Sequence, residues 1–282
     1  MSLTPYSTSC LIDTIILAQS NQENLCYVYD DNQLTGNEKK IMKATTLQKM
    51  FIFIKIIYST LRISIGTIFD SYLRGPHRDR DNERLLWWAS YILQSINLTF
   101  DIFNPHQVKF EPGKRYMIMS NHNSHYDIPL LCMAFPNTTL RMLTKKELFR
   151  IPIWGRGLKA AEFISIDRHD HKQALKDMEH AKEKMESGVT LWIAPEGKRS
   201  RTGELLEFKK GGFLLSIQTE ATIIPVGIRG TINALPPGTL DFTLNQHAEI
   251  RIGQPVNASQ YTKKEALMEA VRSQIHDLSK DK

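Results

Sequence analysis

Between residues 47 and 73 the chain is almost continuously apolar, and its polar positions recur at helical spacing. Lys55, Ser59, Arg62, Gly66 and Asp70 follow steps of four, three, four and four, which sets them along one stripe of a helix. The rest of that surface is mostly Phe, Ile, Leu, Met or Tyr. A membrane-spanning helix wants about 20 apolar residues with few charges. Lys55 and Arg62 break that requirement, so the pattern predicts a helix lying in a membrane interface. Arg74-Gly75-Pro76 predicts a turn, and the charged run through Arg84 a solvated connection. From Leu85 to Phe100 sixteen residues carry no charge and include Trp87, Trp88 and Tyr91. They predict a second helix whose paired Trp suit the headgroup boundary. The alternative is an ordinary apolar hairpin packed on a core, but the apolar faces look too wide for one-sided burial.

Beyond residue 105 short apolar runs alternate with helical periods. Strands are predicted at Tyr116–Ser120, Leu140–Thr144, Glu162–Ile166, Val189–Ala194, Thr222–Ile228 and Glu249–Ile252. Helices are predicted at Tyr126–Phe135, Lys172–Glu186, Gly212–Thr219 and Lys263–Leu278. Such alternation implies an α/β fold, a mixed and largely parallel sheet flanked by helices, with the N-terminal apolar two-helix hairpin attached. Three regions result: a polar acidic extension of unassigned role over 1–44, an amphipathic two-helix segment over 45–104, and an α/β domain over 105–282.

The 282 residues carry 36 Lys and Arg against 30 Asp and Glu, a net charge of +6. Residues 1–40 hold five acids and two bases, so the remainder carries +9. That excess points to anionic partners: phosphorylated substrates, anionic lipid or nucleic acid. Three cysteines cannot build a disulfide scaffold and no Cys-x-x-Cys pair is present, so a reducing compartment and no structural zinc are expected. The apolar stretch Leu11–Ala18 has no preceding base and is interrupted by Asp13, unlike a secretory leader.

Three constellations offer chemistry. In Ser120-Asn121-His122-Asn123-Ser124-His125-Tyr126-Asp127, His122 and Asp127 would lie about 16 Å apart in a strand and about 140° apart on a helix. They meet only if the chain turns between them, as at a strand-to-helix junction. Pro129 fits that junction, since proline is tolerated in a first helical turn. A carboxylate on one imidazole nitrogen would fix its tautomer and leave the other nitrogen as a general base. Alternatively Asp127 only caps a helix and both histidines are surface residues. In Leu191–Arg201 an apolar strand ends in a loop with Glu196, Gly197 and three bases. Gly197 permits close backbone approach and Arg199 offers a fork for phosphate, although a solvated charged turn reads the same way. Downstream, Lys209-Lys210-Gly211-Gly212 precedes a helix. In Lys145–Arg168 an apolar strand again ends in charge, and Arg168 lies where open α/β sheets bind ligands. A local Asp167–Arg168 pair is the alternative.

Together these segments resemble the glycerolipid acyltransferase family, in the branch of the 1-acylglycerol-3-phosphate acyltransferases. Its first motif matches Asn121, His122, Ser124 and Asp127. Its second matches Lys145, Glu147, Leu148, Ile151, Pro152, Gly155, Ile166, Asp167 and Arg168. Its third matches Pro195, Glu196, Gly197, Arg199 and Ser200, and its fourth Ile224, Pro225 and Val226. Four blocks in family order over about residues 105–230 make a specific signal. Ala194 stands where the family has an aromatic, and Lys198 where it has Thr, which leaves the acceptor headgroup open.

The resemblance implies an acyltransferase that moves a fatty acyl chain from acyl-CoA or acyl carrier protein, as co-substrate and without cofactor, to a lysophospholipid hydroxyl. Lysophosphatidic acid is the expected acceptor and phosphatidic acid the product; another lysolipid is the alternative. His122 would be the base and Asp127 its orienting carboxylate. Glu196, Gly197, Arg199, Arg168 and Lys145 would hold the glycerol phosphate. Residues 47–100 would dock on membrane, making a peripheral or monotopic enzyme of the cytoplasmic face. Two rivals use the same residues: a metal-dependent hydrolase with His122, His125 and Asp127 as ligands, and a serine hydrolase built on Ser124, which lacks the Gly-x-Ser-x-Gly turn. The bases match no nucleic-acid motif, so no nucleic-acid partner is expected.

Overall fold

The computed structural model describes residues 26–27, 40–167 and 170–280. Helix α1 (Thr46–Arg74) opens on a reciprocal cap. Thr45 Oγ1 accepts the Gln48 N–H at 3.4 Å, and Gln48 Oε1 accepts the Thr45 N–H at 2.8 Å, which satisfies two otherwise orphaned donors. The helix stops at Gly75, whose φ of 78° is open to glycine and strained for other residues.

α1 is inverted relative to a soluble helix. Ser59, Ser64, Thr67 and Asp70 are buried, whereas Leu47, Phe51, Tyr58, Phe69 and Tyr72 are exposed, Tyr72 to 88%. The polar residues face α2 (Arg78–Ser95) and α4 (Trp154–Ala160), which both pack on α1. A Cβ on Gly157 of α4 would fall 2.6 Å from the Ser64 Cβ, so only glycine permits this approach.

The run through Arg84 is not a solvated connection: it forms the first turns of α2 and points inward. Asp81 is buried and accepts from Thr67 Oγ1 at 2.9 Å and from Arg84 Nη1 at 3.1 Å. Arg84 also pairs with Asp70, Asn82 Oδ1 accepts from the buried Arg141 at 2.8 Å, and Arg78 pairs with Glu162 at 2.6 Å. A charged stretch can enter a helix interface when each charge meets a partner there. α2 also ends earlier than the apolar run implies, and Thr99–Phe103 is a strand. The boundary between hairpin and sheet therefore falls near 96–98 instead of 104.

The strands are β1 (Cys26–Tyr27), β2 (Met42–Lys43), β3 (Thr99–Phe103), β4 (Tyr116–Ser120), β5 (Leu140–Lys145), β6 (Ile164–Ile166), β7 (Thr190–Ile193), β8 (Thr222–Arg229), β9 (Thr243–Leu244), β10 (His247–Ile252) and β11 (Val256–Asn257). Among the described residues nine of them form one sheet in the order β1-β3-β10-β8-β4-β7-β5-β6, with β11 also on β8, while β2 pairs with β9. The run β8-β4-β7-β5-β6 is parallel throughout, and β10 is antiparallel to β8. The mixed, largely parallel α/β sheet expected from sequence is therefore present. Pro225 is tolerated inside β8 because it falls between the registers of β11 and β10, where no N–H is called for.

The other helices are α3 (Asp127–Ala134), α5 (His171–Glu186), α6 (Gly211–Gln218), α7 (Thr231–Ala234) and α8 (Lys264–Ser279). Strand alternation splits the core in two. Ile118, Met142, Trp192 and Ile224 pack with α2 and α3 on one face. Met117, Leu191, Ile193 and Ile223 pack with α5, α6 and α8 on the other. The expected elements lie within a few residues of their predicted bounds. The strand expected from Glu162 starts at Ile164, because Glu162 occupies a turn at φ 63°. Residues 1–25 and 28–39 of the acidic extension lie outside the described residues.

Candidate active site

The central strand β4 ends at Ser120, between β7 and β8, and the chain turns before entering α3. The turn is stitched to the end of β8 and the segment that follows. The Asn121 side-chain amide donates to Ile228 O at 2.8 Å and accepts the Ile228 N–H at 2.8 Å. Ser124 Oγ donates to Leu235 O at 2.8 Å. These bonds hold the turn in the shape that the five-residue spacing requires. His122 Nδ1 lies 2.8 Å from Asp127 Oδ2.

Asp127 is fully buried. Its Oδ2 also accepts the backbone N–H groups of Asn123 at 2.7 Å and Ser124 at 2.9 Å, and its Oδ1 accepts from Thr231 Oγ1 at 2.6 Å. The carboxylate reaches back to the turn before the helix, so it is not a plain cap of α3. With Asp127 ionised, His122 carries its proton on Nδ1, leaving Nε2 as an acceptor. No described residue bonds Nε2. The His122 ring meets Trp192 edge to face at a centroid distance of 5.4 Å, and Trp192 Nε1 is held by Ser120 Oγ at 2.9 Å.

The Glu196 loop joins the same turn. Glu196 is 2% exposed. Its Oε1 accepts the His122 N–H at 2.9 Å and its Oε2 the Leu206 N–H at 2.8 Å. Burial pushes its carboxyl upward, and those two backbone donors oppose the shift. Ser200 N–H donates to His122 O at 2.8 Å. Gly197 adopts φ 72°, and a Cβ there would lie 3.5 Å from Lys209 Cγ, so the Lys209 stem crosses this loop. Arg199 is half-buried and has no ion-pair partner among the described residues. Burial lowers its guanidinium, and the nearby charge of Asp127 opposes this. Among the described residues it is a cation without a close ion pair, within electrostatic reach of Asp127.

The structure thus brings His122, Asp127, Glu196, Gly197 and Arg199 together. Lys145 is exposed at the carboxyl end of β5, two strands from β4. Arg168 lies outside the described residues, while Asp167 bonds Lys146 at 2.6 Å. Ser124 is buried with its hydroxyl committed to a carbonyl, a poor setting for a nucleophile. Among the described residues no three His, Cys, Asp or Glu side chains form a metal-holding group. Sequence reasoning missed the contacts of Trp192 and Thr231. Thr231 is 104 residues from Asp127 and stands outside every matched block, so no spacing signals it.

The Acyltransferase family model matches residues 103–229, which contain all five clustered residues. The chain is 30% identical over 166 residues to 1-acyl-sn-glycerol-3-phosphate acyltransferase alpha of Mus musculus, covering 58% of each. It is 31% identical over 173 residues to a Saccharomyces cerevisiae 1-acyl-sn-glycerol-3-phosphate acyltransferase, 60% of this chain and 56% of that one. For a chloroplastic homologue of Arabidopsis thaliana the figures are 27%, 56% and 43%. The chain thus spans about half the length of these curated relatives. The crystal structure of the 1-acyl-sn-glycerophosphate (LPA) acyltransferase PlsC from Thermotoga maritima shares the fold. Its TM-score is 0.69 at 22% identity, over 80% of this chain and 91% of that one.

Proposed function

We propose that this protein, whose residues 103–229 match the Acyltransferase family model, transfers a fatty acyl group from a thioester to the hydroxyl of lysophosphatidic acid, giving phosphatidic acid. The observation that carries this reading is the 2.8 Å contact of His122 Nδ1 with Asp127, where among the described residues Nε2 has no hydrogen-bond partner and Arg199 nearby has no ion pair. The names of the relatives support the acceptor. His122 Nε2 takes the hydroxyl proton as the oxygen attacks the thioester carbonyl. The new C–O bond forms, the tetrahedral intermediate expels the thiolate as its C–S bond breaks, and the proton on His122 passes to sulfur. Such general-base assistance is worth about 10²–10⁴-fold. Asp127 keeps the ring in its productive tautomer and stabilises the imidazolium.

Arg199, with Lys145 and Arg168, holds the phosphate so that the neighbouring hydroxyl meets Nε2. Gly197 lets that phosphate approach the loop backbone. Glu196 serves this reading as a positioning residue, because both its oxygens are taken by backbone donors. Coenzyme A and acyl carrier protein are the two donor candidates. The exposed apolar face of α1 docks the enzyme on the bilayer. At 29 residues α1 is long and apolar enough to cross one, but its polar side packs on α2 and α4, which favours a monotopic seat over a span; the cytoplasmic face is proposed from the family resemblance. α2 is the layer between α1 and the sheet, so α1 carries most of the lipid contact.

The test is to incubate purified protein with a panel of lysolipids and labelled acyl-CoA or acyl carrier protein, and to identify products by mass. Labelled phosphatidic acid is expected with lysophosphatidic acid, and none from the His122→Ala variant. No product on any lysolipid with either donor would sink the reading.

A further inference from the structure

Asp127 is held from two sides, and only one belongs to the matched motifs. Oδ2 is shared by His122 Nδ1 and the N–H groups of Asn123 and Ser124, whereas Oδ1 has one described partner, Thr231 Oγ1 at 2.6 Å. Thr231 is wholly buried at the start of α7. Its position is set by the residue before it. Gly230 turns the chain out of β8 at φ 81°, and a Cβ there would fall 2.2 Å from His247 O, so the corner admits only glycine. Asn121 on Ile228 and Ser124 on Leu235 bracket the same corner at 2.8 Å each. A hydroxyl is thereby delivered to the face of Asp127 opposite His122.

We propose that Thr231 is a positioning residue of the reaction, acting through Asp127 on the proton affinity of His122. This rests on the reading of His122 as general base. A hydroxyl donated to Oδ1 draws charge from the carboxylate and lowers its pull on the imidazolium. It also fixes the carboxylate's rotation, so that Oδ2 stays in line with Nδ1. Remove the hydroxyl and the backbone donors still hold Oδ2, but the carboxylate becomes more basic. The imidazolium is then better stabilised, and His122 titrates at a higher pH. At a fixed neutral pH less of the enzyme holds His122 in its neutral, proton-accepting form.

The experiment compares full-length wild type, Thr231→Val, Thr231→Ala and Thr231→Ser by histidine NMR titration, with the His122 signals assigned by their loss in His122→Ala. Thermal unfolding is followed in parallel. Both hydroxyl-free variants are expected to titrate His122 at higher pH and to shift its low-field Nδ1 proton resonance, while Thr231→Ser stays with wild type. Acyl-transfer kcat should fall about tenfold or more with KM for acceptor unchanged, and the acid limb of the rate profile should move up. An unchanged titration and resonance in a folded Thr231→Ala or Thr231→Val variant overturns the proposal, as does a Thr231→Ser variant that behaves like Thr231→Ala. The titration needs no turnover. A shifted titration in a protein that acylates no lysolipid therefore upholds Thr231 and defeats the functional reading.

Discussion

One buried carboxylate, Glu196, accepts the backbone N–H of His122 at 2.9 Å while its other oxygen accepts that of Leu206 at 2.8 Å. The loop after β7 is thus tied to the main chain of His122 itself, so one side chain sets the position of the loop relative to the imidazole.

Glu196→Gln tests that tie. The amide keeps one acceptor and turns the other atom into a donor facing an N–H. A buried unsatisfied group costs about 1–3 kcal/mol, and melting temperature falls by about 2–4 °C per kcal/mol for domains of 150–250 residues. A lower melting temperature by circular dichroism and at least a tenfold loss of kcat are expected. Wild-type stability and kcat would show that the tie is dispensable.

Asp127→Asn and Asp127→Ala should separate chemistry from folding. Asparagine can leave its oxygen where Oδ2 accepts from Asn123 and Ser124 and turn its amide toward the Thr231 hydroxyl, so the chain should fold. It cannot stabilise an imidazolium as a carboxylate does, and activity should drop by about 10²–10⁴-fold. Alanine strands two buried N–H groups and should also unfold at lower temperature. Comparing the two by calorimetry and initial rates decides it: substantial activity in folded Asp127→Asn would refute the orienting role.

Phe51, Phe53 and Phe69 project from α1 into solvent. Replacing all three with serine should leave the melting temperature near wild type, because they support no core. Sedimentation with phosphatidylglycerol vesicles should weaken by about tenfold or more, given the apolar area withdrawn from the bilayer. Added salt should weaken it further through exposed Lys55 and through Arg62, whose guanidinium lies 3.9 Å from the Trp87 ring centroid. Equal binding by the triple variant would move the docking face elsewhere.

Glu162 gives a stability change with a defined pH window. Hydrogen bonding to Arg78, with Lys184 adding to it, holds its carboxyl down at about 2 against an ordinary 4.5. A carboxylate with a lowered folded-state value stabilises the fold fully above about 4.5, and loses that contribution as pH falls toward 2. Glu162→Gln should therefore melt below wild type at pH 6, with the gap closing toward pH 2. A gap that is constant with pH would mean that packing matters at this position and ion pairing does not. The pairs join the start of α2 to the end of α5 at 2.6 and 2.8 Å, across the sheet edge.

Local pattern carried most of the fold. Alternating apolar runs and helical periods report burial on one side of an element, and that is a property of nearby residues. The strands of the parallel run and the helices α3, α5, α6 and α8 were accordingly legible. α4 was not, because it has seven residues of which two are glycine, a composition of low helix propensity, and the close packing of Gly155 on Phe149 and Gly157 on Ser64 that selects glycine exists only in the fold. The charged start of α2 was misread for a related reason. A run of Arg and Asp means solvent until its partners appear, and those are Asp70, Glu162 and Arg141, up to 84 residues away.

The sequence by itself determined the α/β class, the wide apolar surface of α1, and His122 and Asp127 as partners wherever the chain turns between them, because each is a matter of local period and spacing. Only the tertiary structure decided how that pair is held. Glu196 reaches His122 across 74 residues and Thr231 reaches Asp127 across 104. A hydrogen bond between distant segments leaves no period or spacing in the chain, because it depends on where β7 and β8 end beside β4.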